Sequence, residues 1–113
     1  MKTIIAYATT HGCTEKTALE LKDHLGGEVT LINLKKNPAP VIDNFDRIII
    51  GGSIHAGQIQ KKVKEFCVKN LNTLQTKELG LFICCMEHGE VAGKQFSEAF
   101  PEELQRHAKS TAI

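Results

Sequence analysis

Four apolar runs separated by charged, helically spaced segments constrain this chain more than any other feature. They are Thr3–Ala8 (TIIAYA), Val29–Leu34 (VTLINL), Arg47–Gly51 (RIIIG) and Leu79–Met86 (LGLFICCM). The first, third and fourth show no polar alternation, which predicts strands buried on both faces. Between the first two, Thr17, Ala18, Leu21 and Leu25 recur at helical spacing over 13–25. Glu15, Lys16, Glu20, Lys22 and Asp23 face away, and Gly26–Gly27 supplies the stop. After the third run, Ile59, Val63, Phe66, Cys67 and Leu71 mark a second helix whose outer face carries Lys61, Lys62, Lys64, Glu65 and Lys69. Phe96, Phe100 and Leu104 mark a third. Pro101 opens a fresh helix there, with Glu102 and Glu103 in its first turn and Arg106, His107 and Lys109 in its last.

Buried strands alternating with helices predict one α/β domain over 1–113, a doubly wound parallel sheet of order 2-1-3-4. Such sheets bind ligands at the carboxyl ends of their strands, where the order reverses. Here the loops 9–14 and 53–58 would meet, with 87–93 beside them. LGLFICCM would be a flat apolar edge, an association hazard if left bare. The tail KSTAI resembles the opening of a further strand. The fifth strand is therefore expected to be truncated, with its helix, or supplied by a partner in a strand-exchanged homodimer covering the strand-four edge.

Composition narrows the function classes. A formal net charge of +1 carries no nucleic-acid footprint. The amino terminus lacks a signal-peptide pattern and no run approaches a membrane span. Cys13, Cys67, Cys84 and Cys85 show no zinc spacing, and the adjacent pair points to opposite faces of a strand, so no metal is expected. A cytoplasmic protein with reduced thiols is the simplest reading, with Cys67 a small core residue of its helix.

The loop Thr9-Thr10-His11-Gly12-Cys13-Thr14 admits two readings. It is a helix cap, or it is a phosphate cradle in which hydroxyls, close backbone approach at Gly12 and the helix N-terminus converge on an anion. No G-x-x-x-x-G-K-[ST] or G-x-G-x-x-G motif is present, which leaves a phosphomonoester at the end of a larger cofactor. GGSIHAGQ (Gly51–Gln58) reads as a ligand-facing loop or as a plain strand-to-helix connection, and His55 as a solvated side chain or a proton-handling one.

TTHGCT resembles the phosphate loop of the flavodoxins, Ser/Thr-x-Thr-Gly-x-Thr, with His11 where that pattern has a hydroxyl. The element order matches the flavodoxin-like fold. Gly51, Ser53, Ile54 and Gly57 resemble the strand-three ending of the group that contains the menaquinone-dependent protoporphyrinogen dehydrogenases. The resemblance implies an FMN cofactor. Its phosphate would be held by Thr9, Thr10, His11, Gly12, Cys13 and Thr14. Its ring would be flanked by Ser53, Ile54, His55, Ala56 and Gly57 and by Met86, Glu87, His88 and Gly89. It implies two functions: an oxidoreductase passing electrons from a planar substrate to a quinone, or a small electron carrier between redox proteins. Carriers of this fold tend to be acidic and to cover the ring with tryptophan or tyrosine. This chain is near neutral, has no Trp, and holds its one tyrosine, Tyr7, inside the first strand, which favours the oxidoreductase. A flavodoxin-like domain without its cofactor is a third reading, which the intact loop hydroxyls disfavour.

Overall fold

The computed structural model describes residues 2–8, 12–25, 27–37, 40–55, 58–84, 89–108 and 110–112, with backbone alone at 13, 55, 58, 89–92 and 110–112. Along the chain run β1 (Lys2–Tyr7), α1 (Cys13–His24), β2 (Glu28–Asn33), β3 (Arg47–His55), β4 (Gln58–Ile59), α2 (Lys61–Lys69), α3 (Leu71–Leu74), β5 (Glu78–Cys84), α4 (Gly89–Ala99), α5 (Glu102–His107) and β6 (Ser110–Ala112). The sheet has the order β2-β1-β3-β5-β6, and every pair along this path is parallel. The expected 2-1-3-4 core is β2-β1-β3-β5.

Alternation of side chains along each strand divides the interior in two. Ile4 and Ala6 of β1 with Ala8 just after it, Ile48 and Ile50 of β3, and Leu79, Leu81 and Ile83 of β5 point to one face. There they meet Val63, Phe66 and Cys67 of α2, Leu74 of α3, Phe96 and Ala99 of α4 and Leu104 of α5. Ile5, Tyr7, Ile49 and Phe82 point to the other face, where among the described residues α1 provides the helical cover through Ala18, with Leu21 alongside. Continuous apolar runs are thus explained: successive residues are buried under different helices. Burial pushes the Cys67 thiol up to about 12, which makes it the inert core residue its spacing implies.

α4 begins at Gly89, inside the expected 87–93 loop, and three further details bear on the sequence expectation. First, β3 continues past Gly51 to His55, because Gly52 and Ser53 keep pairing with Ile83 and Cys84. Second, the segment after it is a hairpin, in which Ile54 pairs with Ile59 and His55 with Gln58. Ile59 is therefore a buried strand residue rather than the start of a helix. Third, Gly80, Leu81 and Phe82 pair in parallel with Ser110, Thr111 and Ala112. The chain's own last described residues supply a short strand at the fifth position over these three residues.

Candidate functional site

The strands end at different heights. β1 finishes at Tyr7, and the Ala8 N–H donates to the Gly51 carbonyl at 3.2 Å as the last rung between β1 and β3. β3 and β5 run on, with Ser53 opposite Cys84. The start of α1 lies beside this step, where Thr14 meets Ser53.

Gly12 is the N-cap of α1, in the left-handed region at φ 85°, and its carbonyl accepts the first helical bond from the Lys16 N–H at 3.0 Å. A glycine cap offers no side chain to the helix, so the helix start is not held by a threonine cap at this position. Among the described residues, a β-carbon built on Gly12 would meet nothing within 4 Å. The first turn presents N–H groups with no intrahelical partner and the positive end of the helix dipole.

Thr14, one residue into that turn, is completely buried. Its hydroxyl is hydrogen-bonded to the Ser53 hydroxyl, joining α1 to the end of β3. One turn on, the Thr17 hydroxyl lies 3.6 Å from the Cys84 thiol at the end of β5. The predicted meeting of the first loop with the 53–58 segment thus takes place through named atoms. Ile54 packs partly buried against the larger core, so its side chain serves the fold.

The two glycines before Ser53 are packing requirements. A β-carbon on Gly51 would fall inside the Phe82 ring, and one on Gly52 would lie 2.6 Å from the Ile59 side chain and 2.9 Å from the Gln60 amide oxygen. Of the remaining candidates, Cys13, His55 and Gly89 are placed by their backbone, at the first position of α1, the end of β3 and the start of α4. Thr9, Thr10, His11, Ala56, Gly57, Met86, Glu87 and His88 lie outside the described residues. Sequence reasoning missed Gln60, whose side-chain oxygen accepts from the Ser53 N–H at 2.9 Å. The signal available was weak: a two-residue Ala-Gly link between two isoleucine-bearing segments, which is a hairpin pattern. Among the described residues no cluster of His, Cys, Asp and Glu could hold a metal ion, and no helix is long and apolar enough to cross a membrane.

The sequence matches the family model of the flavodoxin domain over residues 4–113. It is 34% identical over 80 residues to protoporphyrinogen IX dehydrogenase (quinone) of Escherichia coli K12, covering 67% of this chain and 44% of that protein. The chain spans less than half the length of the curated relatives it matches. The fold superimposes on the two-electron reduced flavodoxin of Megasphaera elsdenii with a TM-score of 0.72 at 23% identity, covering 98% of this chain and 84% of that one. A Lactobacillus acidophilus flavoprotein in complex with FMN gives a TM-score of 0.63 at 16% identity, covering 98% and 91%.

Proposed function

We propose, since the chain belongs to the flavodoxin-domain family, that it is a redox flavoprotein binding FMN at the carboxyl ends of its strands. The observation that carries the reading is the buried Thr14 hydroxyl bonded to the Ser53 hydroxyl, beside the glycine-capped start of α1. This is the donor set a phosphomonoester needs: helix amides, hydroxyls and a backbone free of Cβ. The residues present therefore fit the phosphate end of FMN. Thr9, Thr10, His11, Gly12, Cys13 and Thr14 hold it in this reading, and Ser53–Gly57 with Met86–Gly89 flank the ring.

When bound, the flavin supplies reversible electron transfer. The chain contributes binding and orientation. α1 directs its positive end at the phosphate, Thr14 and Ser53 fix the helix start against β3, and the 53–58 hairpin sets one wall. No side chain is assigned as acid or base.

Within this class we favour an oxidoreductase that passes electrons from a planar substrate of the protoporphyrinogen type to a quinone, acting in the cytoplasm. Its support is the identity to the Escherichia coli enzyme and the absence of any tryptophan. It is also the burial of Tyr7, at 6% exposure, where it cannot cover a ring. An electron carrier is the second reading, supported by likeness to the Megasphaera elsdenii flavodoxin. The visible spectrum of the purified protein tests the first claim: we expect a yellow protein, and a colourless one that takes up no FMN sinks both readings. Turnover of protoporphyrinogen IX with menadione, against reduction by a flavodoxin reductase, then separates enzyme from carrier.

A further inference from the structure

We infer that Gln60, which lies outside all three segments assigned to the flavin, is the positioning residue of this site. The argument starts from the uneven strand ends. Successive residues of a strand direct their backbone groups to alternate sides, so Gly51 and Ser53 address the same neighbour. The Gly51 carbonyl accepts from Ala8, so Ser53 also addresses the β1 side, where β1 has already ended. Its N–H would be a rung without a ladder, and leaving such a donor unmatched is costly. Gln60 takes the place of the missing strand: its Oε1 accepts from the Ser53 N–H at 2.9 Å.

The same residue starts α2. The Gln60 carbonyl accepts from the Val63 N–H at 3.1 Å and the Lys64 N–H at 3.4 Å. Its main chain therefore belongs to the helix and its side chain to the sheet, which fixes the hairpin between them. Gly52 makes the crossing feasible, since a β-carbon there would lie 2.9 Å from the Gln60 oxygen. Ser53 is pinned twice, by Gln60 at its backbone and by Thr14 at its hydroxyl. Loss of the first pin frees the second, and with it the partner of the buried Thr14 hydroxyl. Gln60 thus acts on the ligand through Ser53 and Thr14 without touching it.

The test compares Gln60→Met, which keeps the length and removes the strong acceptor, with Gln60→Glu, which keeps an acceptor oxygen. It rests on the FMN reading for one of two measurements. In the first, FMN is titrated into the apoprotein. Q60M is expected to bind about tenfold more weakly, the effect of one lost hydrogen bond, while Q60E stays close to the unsubstituted protein. In the second, amide hydrogen exchange of Ser53 is followed without ligand. Ser53 is expected to be protected in the unsubstituted protein and Q60E and to exchange freely in Q60M. A Q60M variant that keeps the Ser53 amide protected, or binds FMN as tightly as the unsubstituted protein, overturns the inference. If Q60M does not fold, a Q60E variant with an unprotected Ser53 amide overturns it as well. An unsubstituted protein that takes up no FMN defeats the proposed function, and the exchange measurement still decides for or against Gln60.

Discussion

Thr3 pairs with Val29 on one side and Arg47 on the other, and its hydroxyl is buried with no partner among the described residues. A buried, unmatched hydroxyl costs free energy that an isosteric methyl does not. Thr3→Val should raise stability by about 1 kcal/mol in urea unfolding, with an unchanged slope; a neutral or destabilising result would show that the hydroxyl has a partner after all. Thr14 shows the opposite case, a buried hydroxyl whose partner comes from another element. The sequence marked Thr14 and Ser53 as neighbours of one ligand, because both sit in loops that the sheet order brings together. It could not mark Gln60. Its role follows from where β1 stops relative to β3, and strand length is set by pairing partners, not by the residues of one strand.

At the scale of elements, α1 shows how much rests on one small residue. Ala18 is fully buried against the face formed by Ile5, Tyr7, Ile49 and Phe82. The closeness of helix to sheet is what lets Thr14 reach Ser53 and Thr17 reach Cys84. Ala18→Leu should lift the helix, cost about 1–3 kcal/mol by overpacking, and weaken FMN binding with it. Unfolding curves and a flavin titration check both halves, and a variant as stable and as tight as the parent refutes the packing argument. The four long strands, α1, α5 and the body of α2 were legible because their periods of 3.6 residues and of continuous burial differ so plainly, whereas the first turn of α4, from Gly89, was read as loop. The hairpin of β3 and β4 was not legible, since Ile59 at helical spacing to Val63 and Phe66 also satisfies a strand that folds back onto Ile54. A two-residue strand is too short to show a period of its own. The short β6 was legible as a tail resembling a strand, but its pairing to Gly80–Phe82 depends on an edge that only the folded sheet creates.

Across the whole molecule, each face of the sheet encloses, among the described residues, a group that resists ionisation. Cys67 lies in the larger core, and burial raises its thiol from 9.0 to about 12. Tyr7 lies under α1, and burial, with a smaller contribution from the Glu15 carboxylate, raises its phenol above 10.0. Both groups keep their protons in the folded state at a pH where the unfolded chain has lost them. The stability they contribute is complete below about pH 9 and drains away as the pH climbs through 9 toward 12. Cys67→Ala should flatten this alkaline decline in a series of urea unfolding curves while lowering the plateau at neutral pH. An identical decline in the variant would assign it to other groups. The site spans the same architecture. Thr14 and Ser53 are 39 positions apart in the chain, and Thr17 and Cys84 are 67 apart. Both contacts join α1 to the ends of β3 and β5, so they need those strands in register with β1. A partly assembled chain has nowhere to seat the phosphate, so the appearance of bound flavin during refolding times the last step of assembly, not the first.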